Sequence, residues 1–161
     1  MISYAMPWRL SAALFVLLVG CFPTEEIDPS SLPDGVSIDG YEGWSKVEPL
    51  LGPVPAHGDT YRILYVNDTA RAYTGGGFYQ DGSTMVKEIY TLDGEAGRGD
   101  LDYTAVMRRI DEDSEPDLPI QDGWLFTNLG TDGVETHSPL CWDSCHRQAP
   151  YQGAWFDYSR W

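Results

Sequence analysis

The chain has 161 residues and a formal net charge of −15 at neutral pH. With 42% hydrophobic and 13% aromatic residues, a chain of this length can bury the core of a single domain. Nucleic acid is excluded as an expected partner, because an acidic surface repels phosphate backbones and no basic patch with interleaved aromatic residues is present.

Residues 1–20 are predicted to be a secretory signal peptide. Arg9 closes a short basic region, and an apolar stretch follows from Ser11 to Val19. That stretch is about half of the ~20 residues that a helix needs to span a bilayer, so removal by a signal peptidase is favoured over a retained transmembrane helix.

The end of this segment, Leu18-Val19-Gly20-Cys21, resembles the lipobox of bacterial lipoproteins. In those proteins the cysteine is lipidated and becomes the mature N-terminus, so we expect Cys21 to hold the protein on the periplasmic side of a membrane. Phe22 follows rather than Asp, which gives no signal for inner-membrane retention and favours the outer membrane. An ordinary signal peptide with a chance cysteine is the alternative.

Residues 21–40 are rich in proline, serine and acidic side chains and poor in apolar ones. This composition predicts a flexible tether between the anchor and the folded part of the chain. The folded domain is expected to comprise residues 41–161.

The domain is predicted to be α+β, mainly an antiparallel sheet with short helices. Alternating apolar residues bounded by Gly, Asp and Asn predict four strands, and most connections are too short for the crossover that parallel strands require. The predicted strands are Tyr61–Asn67, Met85–Leu92, Tyr103–Ile110 and Trp124–Leu129. The predicted helices are Glu42–Leu50, Asp68–Tyr73 and Cys141–Gln148.

Two cysteines and a histidine stand together near the C-terminus, in Cys141-Trp142-Asp143-Ser144-Cys145-His146. The common attachment motif for c-type haem is Cys-x-x-Cys-His, in which two thiols add to the haem vinyl groups and the imidazole ligates the iron. Here three residues separate the cysteines. On a helix, residues four apart still share a face, so both sulfurs could reach one porphyrin edge.

Three other interpretations of these residues stay open. An oxidising compartment favours a Cys141–Cys145 disulfide. His137, Cys141, Cys145 and His146 could instead form a small zinc or copper site, or the two cysteines could be buried free thiols. Any of these would make the protein a non-haem structural lipoprotein. His57 lies in a loop without a partner motif and is expected to be solvated.

Several stretches, in order, resemble the cytochrome P-460 family. They are Tyr61–Asp68, Asp81–Tyr90, Val106–Arg108 and the Cys-Cys-His segment at residues 141–146, and the resemblance extends over roughly residues 44 to 150. It implies an antiparallel β fold, often a homodimer, with one haem c per chain. By the same resemblance, Cys141 and Cys145 match the attachment thiols and His146 matches the proximal iron ligand.

Members of that family oxidise hydroxylamine, and the related cytochromes c′-beta bind nitric oxide or carbon monoxide. The resemblance therefore implies a haem protein that binds or oxidises a small nitrogen ligand, with an oxidoreductase activity left open and no redox partner indicated. Ala105 aligns with the position where hydroxylamine-oxidising members are thought to carry a distal glutamate. Without that carboxylate, efficient hydroxylamine oxidation is disfavoured.

Lys87 is the last candidate, with both a catalytic and a cofactor-binding role. Alternation puts Lys87 on the same face as Met85 and Ile89, where an ammonium group is costly without a partner. It could still be a solvated residue of an edge strand. Lys87 matches the lysine that is covalently bonded to the porphyrin in cytochrome P-460, so the resemblance implies that Lys87 faces the haem and that such a bond could form.

Overall fold

The computed structural model describes residues 25–54 and 57–160, and these residues contain eight strands and two short α-helices. The strands are β1 (Ser45–Leu50), β2 (Pro53–Val54), β3 (Gly58–Asp59), β4 (Tyr61–Val66), β5 (Thr84–Asp93), β6 (Gly97–Arg109), β7 (Trp124–Gly130) and β8 (Glu135–His137). The helices are α1 (Asp68–Arg71) and α2 (Pro139–Ser144). Short 3₁₀ turns cover Pro29–Ser31, Tyr41–Gly43, His146–Gln148 and Tyr158–Arg160.

Six of these strands form one antiparallel sheet in the order β1-β4-β5-β6-β7-β8, and β2 pairs with β3 in a separate ribbon. The α+β class with a mainly antiparallel sheet is confirmed, and all four predicted strands form. β5 and β6 are longer than predicted, because they continue to a tight turn at which Asp93 pairs with Gly97. α1 also forms where a helix was expected, with the Asn67 side chain capping its first turn.

The helix predicted at Glu42–Leu50 is wrong. Residues 45–50 form β1, which pairs with β4 only and is therefore an edge strand. Pro49 interrupts a helix because it has no backbone N–H to donate, whereas an edge strand tolerates it. A register shift between Val47 and Leu50 accommodates this residue.

The segment predicted to be a flexible tether behaves differently over residues 25–40, which pack against the domain. Ile27 and Val36 are buried. The Ile27 N–H donates to the Glu135 carbonyl at 2.8 Å, and Arg108 Nε donates to the Val36 carbonyl at 3.1 Å. A few apolar residues thus attach this segment to the domain, although its average composition does not predict such packing. The predicted signal peptide and Cys21 lie outside the described residues.

The two faces of the sheet are covered by different material. On one face, a cluster of Ile63, Tyr65, Val86 and Val106 is covered by residues 38–44. On the other face, one end of the sheet contributes to an aromatic cluster with residues from the loops, α2 and the C-terminal segment, namely Tyr73, Tyr79, Trp124 of β7, Trp142 of α2 and Tyr158. The remaining part of that second face borders a cavity. Within residues 25–54 and 57–160, no helix is both long and apolar enough to cross a membrane.

Candidate functional site

A cavity of about 730 Å³ lies against the face of the sheet that carries Leu64, Lys87 and Met107. This volume is in the range of sites that hold a cofactor. Most of its wall is aliphatic or aromatic. Its ionisable side chains, among the residues that the structure describes, are His57, Arg62, Lys87, Cys141, Cys145, His146 and Tyr158. No described Asp or Glu lines it, so its electrostatic character is set by cations and imidazoles.

The two cysteines reach the cavity from different backbone conformations. α2 starts at Pro139 and ends at Ser144, and Cys145 has φ −135° and ψ −60°, outside the helical region. The expectation that one helical face presents both sulfurs is therefore wrong, although both side chains line the cavity. α2 ends before Cys145, and a 3₁₀ turn begins at His146. Both cysteines are free thiols.

His146 is held in one orientation by its own backbone neighbourhood. Its Nδ1 lies 2.6 Å from the Gly153 carbonyl oxygen. A carbonyl only accepts, so Nδ1 carries the hydrogen and Nε2 keeps a free lone pair. The ring centroids of His146 and Phe126 lie 4.7 Å apart. Burial lowers the pKa of His146 to about 4. At neutral pH this side chain is an uncharged imidazole with an oriented basic nitrogen, as a metal ligand requires.

Gly153, the partner of His146, occupies a position that only glycine fits. Its φ is +94°, and a Cβ atom there would lie 2.9 Å from Trp124 Nε1. The same turn is fixed by a hydrogen bond from Trp124 Nε1 to the Gln152 carbonyl at 2.8 Å. These contacts fix the C-terminal segment against β7 beside Gly153, whose carbonyl orients His146.

Lys87 lies inside the cavity, on the face that its alternation with Met85 and Ile89 predicted. In the register it is flanked by Leu64 of β4 and Ala105 of β6. Burial, and secondarily the charge of Arg62, lower the pKa of Lys87 to about 8. The amine is therefore closer to its neutral, nucleophilic form than an exposed lysine would be.

His57 is a site residue that the sequence reasoning missed. It was expected to be solvated, but it lines the cavity, with Nδ1 2.8 Å from the Tyr103 hydroxyl and Nε2 3.4 Å from Lys87 Nζ. Burial is the main reason that the pKa of His57 falls to about 3, and the charges of Lys87, His146 and Arg62 add to it. No local pattern could have found this residue, because its partners are 46 and 30 positions away in the chain.

The remaining candidates are not brought to this site. His137 is buried in β8, its Nδ1 lies 3.1 Å from the Phe126 carbonyl oxygen, and it does not line the cavity. Within the part of the chain that the structure describes, no three His, Cys, Asp or Glu side chains are grouped as metal ligands. The four-residue zinc or copper set is therefore not assembled there.

A family model described as cytochrome P460 matches residues 38–156. The chain belongs to the cytochrome P460 family. The match covers the whole six-stranded sheet, the Cys-Cys-His segment and the described cavity lining except Tyr158, and the family is one of c-type haem proteins. None of the curated proteins compared with the chain matches it.

The residues of the cavity fit the prosthetic group of the cytochrome P460 family. Covalent attachment needs two thiols that are not otherwise bonded, and Cys141 and Cys145 are free. Ligation needs an unprotonated imidazole nitrogen, which the hydrogen bond to Gly153 leaves on His146. A large macrocycle needs an apolar enclosure, which is the character of most of this wall.

Proposed function

We propose that this member of the cytochrome P460 family carries one haem c, attached by Cys141 and Cys145 and ligated at its iron by His146, and that it binds or oxidises nitric oxide or hydroxylamine. The observation that carries the proposal is the meeting of these three side chains with Lys87 on the wall of one apolar cavity. The haem would supply the redox and ligand-binding chemistry, while the protein binds, orients and desolvates.

Binding is better supported than efficient hydroxylamine oxidation. Leu64, Met107 and Phe126 give the cavity an apolar wall, which suits small ligands of low polarity. Ala105 lies beside Lys87 in the register and offers no carboxylate where hydroxylamine-oxidising relatives are thought to have one. General-base assistance is worth roughly 10²–10⁴-fold, so its loss at this position favours a ligand-binding role unless another base acts.

Lys87 is proposed to face the haem and to form a covalent bond to the porphyrin. In that step a C–N bond replaces one N–H bond of the amine and one C–H bond of the ring, two protons are released, and two electrons pass to an added oxidant such as a peroxide. Its position in the cavity and its lowered pKa support a nucleophilic amine. Mass spectrometry of a proteolytic digest tests this bond, with the Lys87→Met variant as the control digest. We expect a peptide that joins Lys87 to the porphyrin, and its absence would refute the cross-link.

Attachment of the haem is tested by producing the full chain in cells that have haem-maturation machinery. We expect a coloured protein whose haem stays on the polypeptide in denaturing gels, with a ferrous spectrum after dithionite that differs from the ferric one. The Cys141→Ser and Cys145→Ser double variant is the matched control and should lose the haem in the gel. A colourless wild-type protein would favour the non-haem structural lipoprotein, in which Cys141 and Cys145 would be oxidised to a disulfide.

The cellular location is proposed from the N-terminal sequence alone. Cys21 would carry the lipid and hold the domain on the periplasmic side, with the outer membrane favoured. The Cys21→Ser variant should move from the membrane pellet to the soluble fraction, because stable anchoring requires acyl chains on that residue. Continued pelleting of the variant at high salt would refute lipidation at Cys21. We also propose that the protein forms a homodimer and exchanges electrons with a redox partner that the sequence does not identify.

A further inference from the structure

His57 lines the haem cavity but has no part in the proposed attachment. It is fixed by two neighbours from different strands, the hydroxyl of Tyr103 in β6 at 2.8 Å and the amine of Lys87 in β5 at 3.4 Å. The His57 and Tyr103 rings are stacked, with centroids 6.3 Å apart. An imidazole held in this way is positioned, rather than free to turn toward solvent.

The sheet register separates His57 from His146 along the strands. His146 packs on Phe126, which pairs with Met107 of β6, whereas His57 is bonded to Tyr103 of the same strand. Four residues of a strand span about 13 Å at ~3.3 Å each. Lys87 and its partner Ala105 lie at the level between them. The positions on β6 that the two imidazoles reach, directly for His57 and through Phe126 for His146, are therefore four residues apart.

The hydrogen bonds define which nitrogen of His57 is basic. An ammonium only donates, so Nε2 accepts from Lys87 and the ring hydrogen is on Nδ1, from which it is donated to the Tyr103 oxygen. Nε2, with its lone pair, is thus the nitrogen beside Lys87 in the cavity. A bond from the Lys87 nitrogen to a porphyrin carbon would remove the ammonium charge and leave a single N–H as a weaker donor to that lone pair.

We propose that His57 is the acid–base residue of this cavity and accepts at Nε2 the proton of a protic ligand, an inference that rests on the haem-binding function proposed above. The hydrogen bond from Lys87 to Nε2 breaks, the bond between the ligand and its hydrogen breaks with its electron pair staying on the ligand, and an N–H bond forms at Nε2 of the imidazole. No described carboxylate on the cavity wall could take that proton instead.

The charges that face His57 decide how readily it takes the proton. The positive charges of Arg62 in β4 and Lys87 in β5 oppose an imidazolium at His57, whereas His146 is an uncharged imidazole at neutral pH. The Tyr103 hydroxyl oxygen of β6 accepts a hydrogen bond from Nδ1 and so stabilises the imidazolium. The anion left by deprotonation of the ligand lies in the same cavity and offsets the repulsion, because an opposite charge nearby favours the charged imidazole. Proton transfer is therefore coupled to ligand binding.

The test compares a protic with an aprotic ligand on the haem-loaded protein. Hydrogen cyanide must lose its proton to bind ferric haem, whereas carbon monoxide binds ferrous haem without any proton transfer. In the His57→Gln variant we expect the cyanide association rate constant at neutral pH to fall by about 10²-fold or more, the scale of general-base catalysis, with the carbon monoxide rate unchanged. Above the pKa of hydrogen cyanide, the difference should vanish.

Two further variants keep the test decisive. Tyr103→Phe removes the orienting hydroxyl and should slow cyanide association to a smaller extent, while His57→Leu should match His57→Gln if basicity is what matters. Equal loss for both ligands, or no loss for cyanide, would overturn the proposal. So would a wild-type spectrum of six-coordinate haem that His57→Gln makes five-coordinate, because His57 would then be an iron ligand. A wild-type protein that attaches no haem overturns both this inference and the proposed function.

Discussion

Lys87 and Glu88 are neighbours in β5, yet they point to opposite faces of the sheet and meet opposite surroundings. Glu88 is buried and accepts three phenol hydrogen bonds, from Tyr41 at 2.8 Å, Tyr65 at 3.1 Å and Tyr90 at 2.8 Å. Lys87 faces a cavity whose described lining contains no Asp or Glu, and its hydrogen-bond neighbour is the imidazole of His57. On one face, three phenol hydrogen bonds stabilise the buried Glu88 carboxylate. On the other face, no described carboxylate of the cavity wall compensates the charge of Lys87.

The shifts in pKa follow from this difference. On the Glu88 face, burial and the hydrogen bond to Glu88 raise the pKa of Tyr41 above its usual range and that of Tyr90 to about 12, so both phenols stay protonated and donate. On the cavity face, burial lowers the pKa of Lys87, His57 and His146. The polar groups of the Glu88 face stabilise the sheet. The cavity face instead contains basic nitrogens whose protonation is disfavoured, which costs some stability.

The largest expected effect comes from the cavity face. His146→Ala removes the proposed iron ligand, so we expect loss of stable haem incorporation or a shifted Soret band, measured as absorbance per polypeptide. His137→Ala is the matched control, because His137 is also buried with its Nδ1 beside a backbone carbonyl but lies outside the cavity. Unchanged ferric and ferrous spectra in His146→Ala would remove this residue from the site.

The sequence predicts the centre of the fold better than its margins. The alternating apolar pattern identifies β4 to β7, each of which contains a run of buried residues, and it also places Lys87. It fails for β8, which has only three residues, and for β1, where Pro49 and the edge position obscure the pattern. Residues 25–40 dock through a few contacts that average composition does not reveal.

The candidate site divides in a similar way. Cys141, Cys145 and His146 are adjacent in the chain, so a local motif indicates them. His57 and the apolar cavity residues Trp155 and Phe156 are brought there only by tertiary structure. Prediction from a single sequence therefore finds chemistry that is contiguous and misses chemistry that the fold assembles from distant segments.

Glu88 provides the next largest effect, on the opposite face. Glu88→Leu leaves three phenol hydroxyls without their acceptor, and a buried polar group without a partner costs ~1–3 kcal/mol. Because Tyr41 and Tyr90 are partly accessible to water, we expect a loss of about 2 kcal/mol in the free energy of unfolding, measured with urea. Glu88→Gln keeps an acceptor oxygen and should lose less. Equal losses in the two variants would contradict the role of the hydrogen bonds.

Lys87→Met should have the reverse sign in the haem-free protein. The substitution removes a desolvated amine and keeps an unbranched apolar chain beside Leu64 and Ala105, so we expect a gain of ~1 kcal/mol in the free energy of unfolding. Urea unfolding beside Glu88→Leu makes the comparison of the two faces direct. A loss of stability in Lys87→Met would mean that the cavity compensates the lysine after all.

The smallest effect is a change in pH dependence that His57 produces. Its pKa is about 3 in the folded chain, against 6.5 for an ordinary histidine, so below pH 6.5 the unfolded chain binds a proton that the folded chain does not. The free energy of unfolding must therefore fall as the pH falls from 6.5 toward 3, and His57 contributes nothing to this dependence above that window.

In the haem-free His57→Gln variant, the fall should be shallower by up to about 1.4 kcal/mol per pH unit, the value of one proton. His137 and His146, whose pKa values are also lowered, remain in both proteins and largely cancel in the comparison. Urea unfolding at several pH values between 6.5 and 4 measures the two slopes, and parallel slopes would show that His57 is not held as a neutral imidazole in the cavity.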